Sequence, residues 1–309
     1  MALPDLLRRT ASEPIRRWVL GAFPRDNSST LDYDHPAGDP GLFGPDSVTW
    51  RIHADFPGML AGGLAALMMQ TLHPRALAGV WDHSNFRGDL VGRLRRTTTF
   101  VGATSYAPRA AAEGLIERVR HIHAHVRGLA EDGTPYTADD PALLTWVHVT
   151  EAHSFLAGYR QFAHREVPRA IADRYYDEVR RIAEALGARD VPASEAQVAD
   201  YFAGVQSQLA CTDRSREVLR ILAGVRLPVP FAGLSRDVFL NAGSALLPGW
   251  ASDRLRHTPR QRRQARLAAR VLWSMAPAFR AALKDGVVSR SCQRMGVAPE
   301  AMRRWPGEA

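Results

Sequence analysis

Lysine and cysteine are scarce in this chain of 309 residues. Lys284 is the only lysine, so arginine supplies almost all of the formal charge of +8. No helix-turn-helix, zinc-finger or RNA-binding signature accompanies that charge, and we expect no nucleic-acid partner. Cys211 and Cys292 lie far apart and form no CxxC pattern, which argues against a disulfide scaffold and a cysteine zinc site. The composition is typical of a protein from a reducing compartment.

Long hydrophobic runs are also lacking. The most apolar stretch, 59–72, is interrupted by Gly62, Gly63 and Gln70 and is shorter than the roughly 20 residues that span a bilayer. We expect a buried helix there and no transmembrane segment. The paired arginines Arg8 and Arg9 are not followed by the apolar region of a secretion signal, so the sequence predicts a cytoplasmic protein.

Alternating runs typical of β-strands do not appear, whereas helical spacing of apolar residues is frequent. The sequence therefore predicts an all-α fold, a single large helical domain. We divide it into an N-terminal helix and extended arm (1–45), a helical core (46–190) and a C-terminal helical part packed on that core (191–309). The arm is expected at 26–45, and Asp46 and Ser47 are expected to cap the first core helix.

Three histidines within 118–129 form the densest cluster of possible ligands. Helical spacing places His123 in an apolar stripe and turns His121 and His125 away from it. Residues two apart on a helix cannot converge on one ion, so a single imidazole is the candidate. His123 is either a core histidine satisfied by a backbone carbonyl or the axial ligand of a haem iron. Arg127, four residues on, is expected on the same face, where it could pair with a propionate.

A basic stripe is predicted on the preceding helix, where Arg93, Arg96, Thr97 and Phe100 recur at helical spacing. It is either an exposed basic face or a face that donates hydrogen bonds to dioxygen as negative charge develops. A third helix, 143–162, carries His148 in a stripe typical of a pocket wall or of an ordinary core.

Seven arginines crowd the segment 253–270. A solvated helix face is the plain interpretation, and weak peripheral contact with an anionic membrane or a partner is the alternative.

Several motifs together resemble the superfamily of bacterial and fungal oxygenases that contains latex-clearing protein and the mpaB-type enzymes. The motifs, which lie within 42–187, include RGDLVGRLRRTTTFV, RVRHIHAHVRG and YTADDPALLTWVHVTEAHSF. The resemblance implies a globin-like helical core around non-covalent haem b, with His123 as the axial iron ligand and Arg127 four residues later. It also implies that Arg93, Arg96 and Thr97 match the distal Arg-x-x-Lys-Thr motif. Arginine replaces lysine at position 96, so a role that needs a neutral amine is in doubt.

We therefore predict a haem-dependent mono- or dioxygenase that acts on an apolar small molecule with O2, including oxidative cleavage of a carbon-carbon double bond in an isoprenoid-like substrate. Arg93, Arg96 and Thr97 are the candidate catalytic residues, and His123, Arg127 and His148 are the candidate haem-binding residues. A haem-binding sensor or carrier without catalysis, and a helical binding protein without haem, are the alternatives. The substrate and the oligomeric state are not predicted.

Overall fold

The computed structural model describes residues 15–17, 31–225, 232–283 and 286–308. Within those ranges nearly all regular structure is helical, which confirms the all-α prediction. The helices are α1 (Val48–His53), α2 (Phe56–Gln70), α3 (Pro74–His83), α4 (Leu90–Tyr106), α5 (Arg109–His123), α6 (Pro141–Phe162), α7 (Arg169–Leu186), α8 (Glu195–Gly204), α9 (Asp213–Gly224), α10 (Ala232–Ala245), α11 (Gly249–Arg254), α12 (Pro259–Ala282) and α13 (Val287–Arg294), with short 3-10 turns at Val205–Gln208 and Pro299–Arg303.

A short hairpin interrupts the helical pattern after α5. Strands β1 (Arg127–Leu129) and β2 (Pro135–Thr137) pair in antiparallel register, with Gly128 opposite Tyr136. The sequence analysis expected no strands. Three-residue strands are too short to show a period-two pattern, so the hairpin has no clear signal in the sequence.

Helices α2 and α6 cross at the centre of the fold because glycines remove the side chains between them. A β-carbon at Gly158 of α6 would overlap the carbonyl oxygen of Gly58 of α2, and one at Gly62 would lie 2.5 Å from the carbonyl oxygen of Ser154. The main hydrophobic core lies around this crossing and includes Trp146. The residues of this core come from both sides of position 190. The division of the chain into three parts stays a prediction.

Capping residues set several helix ends, and Ser47 does so where the sequence predicted it. The Ser47 hydroxyl accepts a hydrogen bond from the Trp50 N–H at the start of α1, and Ser194 caps α8 in the same way. Gly187 ends α7 in the left-handed region at a φ of 110°. The predicted N-terminal helix, 6–23, lies largely outside the described residues, which show helix only at 15–17.

The described part of the predicted arm, 31–45, is irregular as expected, but it is packed rather than extended over the surface. Arg294 of α13 is buried and donates hydrogen bonds to the carbonyl oxygens of Tyr33 (2.9 Å) and Asp39 (2.8 Å). These charge-assisted bonds satisfy backbone groups in a segment that has no regular structure. No described helix is long and apolar enough to cross a membrane.

Candidate active site

Arg93 lies in the wall of an apolar pocket between α2, α3, α4, α6 and α9. It is half-buried, and no carboxylate pairs with it among the described residues. Burial, and then the neighbouring charge of Arg96, lowers the pKa of Arg93, although a guanidinium remains charged at neutral pH. Leu67, Leu90 and Val147 are among the apolar residues around it. The pocket therefore combines an apolar lining with one unneutralised cation.

A polar chain leads from this pocket into the centre of the fold. Gln70, which also lines the pocket, donates from Nε2 to the Thr150 hydroxyl of α6 at 3.3 Å. Burial raises the pKa of Glu151 to about 7, and a hydrogen bond from Gln70 opposes that rise. Because α6 carries Val147 and Glu151 one turn apart, Glu151 lies on the same helix face as the pocket wall. Near neutral pH this carboxyl can therefore hold or release a proton.

His148 belongs to the same face of α6 and is neutral at pH 7, because burial lowers its pKa to about 4. The pKa of His53 is lowered to about 3, mainly by its own burial and then by the nearby charge that His148 would carry if protonated. His53 is fixed from both sides, with Nδ1 2.7 Å from the Ser105 hydroxyl and Nε2 2.9 Å from the Tyr175 hydroxyl. The two imidazoles are thus buried neutral groups, and His53 is held by partners that His148 lacks among the described residues.

These groups define a cleft between α4 and α6. At one end Arg93 of α4 and Val147 of α6 line the same pocket. Near the other end of α4, Ser105 holds His53, and the charge of His148, the residue after Val147 on α6, would lower the pKa of His53. Among the described residues, α4 makes its larger contacts with α5, α1 and α13, and none of comparable size with α6. We call this space the α4/α6 cleft.

His123 ends α5, and its imidazole is half-buried. Its Nδ1 is buried and neither ring nitrogen has a hydrogen-bond partner among the described residues. Burial lowers the pKa of His123, with the charge of Asp139 opposing, so the ring is neutral at pH 7. His121 and His125 are exposed, as the helical spacing predicted. The expected backbone carbonyl partner of a core histidine is not present in the described structure.

The prediction that one helix continues from His123 to Arg127 is wrong. Helix α5 ends at His123, and Arg127 is the first residue of β1, with an exposed side chain. Its carbonyl oxygen is 3.1 Å from His83 Nε2. The turn that leads into the hairpin ends the helix, so the four-residue spacing no longer places both side chains on one helical face.

Arg96 and Thr97 are exposed on α4, unlike Arg93. Arg96 lies 3.6 Å from the Asp89 carboxylate, and the Thr97 hydroxyl is 3.3 Å from the Arg93 carbonyl oxygen. The predicted basic stripe is therefore divided into one half-buried cation and a solvent-facing part. No hydrogen bond among the described residues joins His123 to Arg93, Arg96 or Thr97.

Gln70, Glu151 and His53 were not identified from the sequence as site residues. Each is a polar residue within an apolar helical pattern, and Glu151 follows His148 by three residues, which is the spacing of one helix face. That spacing is a signal that could have identified Glu151. Gln70 and His53 join the site only through the packing of α2 and α1 against α6. The described residues contain no group of three His, Cys, Asp or Glu side chains placed to hold a metal ion.

Comparison with known families identifies the class of this domain, which is an oxygenase catalytic domain. Residues 50–281 match the family described as ER-bound oxygenase mpaB/B'/rubber oxygenase, catalytic domain. The match extends over well more than half of the chain, from α1 to the end of α12, and the chain belongs to this family. No curated protein and no solved structure matches it.

Proposed function

We propose that this protein is a haem b-dependent oxygenase that acts on an apolar small molecule with O2. The observation that carries the haem assignment is the His123 imidazole, which is neutral, half-buried and without a hydrogen-bond partner among the described residues. A neutral imidazole with a free ring nitrogen could ligate the iron of a bound haem. Membership of an oxygenase family supports the same assignment.

The charges near the α4/α6 cleft also fit haem. Arg93 is a half-buried cation with no carboxylate partner among the described residues. Burying an uncompensated charge is costly unless an anion or a developing negative charge meets it. Arg127 is exposed and its guanidinium is available to a propionate at the rim. His123 and Arg127 are therefore the residues that would hold the group, and Arg93 is left to act on the developing charge.

Bound haem would supply the iron chemistry that activates dioxygen, and the residues of the chain would set its surroundings. In our proposal the Arg93 guanidinium donates hydrogen bonds where negative charge develops, and the Thr97 hydroxyl adds a second donor. The Arg96 charge contributes a positive field that solvent weakens, because this side chain is exposed. His148 presents a neutral imidazole from α6 to the cofactor.

Substrate binding is assigned to the apolar pocket beside Arg93. Leu67, Leu90, Leu94 and Val147 exclude water there, while Gln70 connects the pocket to Glu151. With a pKa of about 7, the Glu151 carboxyl can hold or release a proton close to the pocket near neutral pH. The lining favours a hydrocarbon-like substrate, and oxidative cleavage of a carbon-carbon double bond is one reaction consistent with it.

The experiment that tests the proposal is an absorption spectrum of the purified protein, before and after dithionite and carbon monoxide. We expect a Soret band that shifts with carbon monoxide and that is lost in His123→Ala. His121→Ala is the matched control, since His121 is an exposed histidine on the same helix. Full haem content in His123→Ala would remove the ligand assignment. A colourless protein that does not bind added haemin would overturn the proposed function.

A further inference from the structure

Helix α12 exposes a row of apolar side chains to solvent. Leu267, Val271 and Met275 follow one another at four-residue steps, and their exposed fractions are 61%, 39% and 42%. Trp273, on the same helix, is 46% exposed and stacks on His164 at 4.1 Å between ring centroids. Large apolar residues exposed singly are ordinary, but a contiguous row along one helix marks an interaction surface.

A second row, of arginines, runs beside the first. Arg263, Arg266 and Arg270 are exposed, and none has an acidic partner among the described residues. Helix α12 contains no Asp or Glu, so no negative charge of its own offsets these cations. Arg262 differs, since it pairs with Asp253 at 2.5 Å. The face thus combines an apolar row with three unneutralised cations, and the opposite side of the helix packs on α10 and α2.

We propose that this face, the α12 face, docks the protein on an anionic lipid membrane. A helix that lies in a membrane interface buries its apolar row at the acyl boundary while its arginines meet anionic headgroups. A second copy of the chain fits less well, because a two-fold contact would place the arginines of one α12 against those of the other. A nucleic-acid backbone would satisfy the arginines but leave the apolar row without a partner.

The proposal is independent of the proposed function, since α12 contributes no residue to the α4/α6 cleft. If the proposed function also holds, membrane docking would place the oxygenase at a lipid surface. Apolar small molecules concentrate in membranes, and a protein docked by α12 would take its substrate from the bilayer rather than from water.

Flotation of the full-length protein with vesicles tests the proposal. We expect binding to vesicles of equal parts phosphatidylcholine and phosphatidylglycerol, weak binding to phosphatidylcholine alone, and release at high salt. Replacing Arg263, Arg266 and Arg270 together by Gln should weaken binding roughly a hundredfold, since each cation near the surface contributes about 1 kcal/mol and about 1.4 kcal/mol is tenfold. Leu267→Asn with Val271→Asn should weaken binding at unchanged charge.

The control replaces Arg118, Arg216 and Arg220 by Gln, which removes the same charge from exposed residues on other helices. This variant should float like the parent protein. Equal loss of binding in both triple variants would show that overall charge, not the α12 face, is responsible and would overturn the proposal. No binding to anionic vesicles, or a stable dimer that the α12 variants dissolve, would overturn it as well. Circular dichroism and haem content separate these results from misfolding and from failure of the proposed function.

Discussion

At the scale of single residues, the site is defined by half-buried polar groups that have no ion-pair or hydrogen-bond partner among the described residues, or whose pKa is shifted by burial. Arg93 is half-buried without a carboxylate, and the buried Nδ1 of His123 has no hydrogen-bond partner among the described residues. Glu151 is a carboxyl whose pKa burial raises to about 7. Such groups are costly in a structural role, which is why they point to a bound cofactor or to proton transfer.

Arg93→Ala should keep haem and lower turnover by about a hundredfold, the usual effect of removing a donor to developing negative charge. Oxygen consumption with an apolar substrate, normalised to haem content, is the measurement. Arg96→Ala is the comparison, because Arg96 is exposed and paired with Asp89. We expect it to lose less than about tenfold. Equal losses in the two variants would contradict the distinction between a buried and a solvated cation.

Glu151 should make the protein less stable as pH rises. Its carboxyl loses a proton near pH 4.5 when unfolded and near pH 7 when folded, so the folded state binds more protons in between. The free energy of unfolding therefore falls through this window, by at most about 3 kcal/mol. Buried His53 and His148, with lowered pKa values, act in the opposite direction below about pH 6.5.

The test compares Glu151→Gln with the parent protein in urea unfolding at about pH 5 and about pH 8. The variant lacks the titrating carboxyl, so the difference in stability between the two proteins should change with pH, with Glu151→Gln relatively more stable at the higher pH. A difference that is constant across the range would show that Glu151 titrates normally.

At the scale of elements, the crossing of α2 and α6 positions the site. Gly58, Gly62 and Gly158 allow the two backbones to approach closely, and Gln70 at the end of α2 consequently reaches Thr150 of α6. Any change that separates α2 from α6 alters both the core and the proton-bearing carboxyl.

Gly158→Ala should therefore destabilise the protein by about 1–3 kcal/mol, the usual range for overpacking, although alanine favours helix. Gly114→Ala is the matched control, because a β-carbon at that position of α5 meets nothing within 4 Å. There the substitution should stabilise by about 0.5–1 kcal/mol through helix propensity. Urea unfolding measures both, and a neutral Gly158→Ala would contradict the close contact.

At the scale of the whole molecule, one helical domain joins an oxygenase core to an exposed basic and apolar helix. The family match ends with α12, so the α12 face lies within the matched residues. The main core includes residues from both the first and the last third of the chain, which makes the site dependent on the complete fold.

Haem should stabilise the folded protein, because a ligand that binds only the native state adds RT ln(1 + [L]/Kd). At a thousandfold excess over Kd this is about 4 kcal/mol, which raises Tm by several degrees. Differential scanning calorimetry with and without haemin measures the shift. The shift should persist in His121→Ala and largely disappear in His123→Ala, whereas an unchanged shift in His123→Ala would assign the ligand elsewhere.

The sequence by itself was sufficient for the class of fold, the start of α1 and the family. Helical periodicity, proline and capping residues are local signals, so α1 could be placed from Ser47 and the end of α7 from Gly187. The exposure of His121 and His125 and the half-burial of His123 follow from the same spacing. Local signals are enough wherever the structure depends on neighbours in the chain.

Only the tertiary structure decided which polar residues share the α4/α6 cleft. Helical spacing placed Arg93 and Arg96 in one stripe, yet the packing of α4 beside α2 and α6 covers Arg93 and leaves Arg96 in solvent. Arg127 lies in the hairpin that follows α5 and not on the helix. Gln70 lies beside Glu151 because α2 crosses α6. These outcomes depend on contacts between residues distant in the chain, where periodicity carries no information.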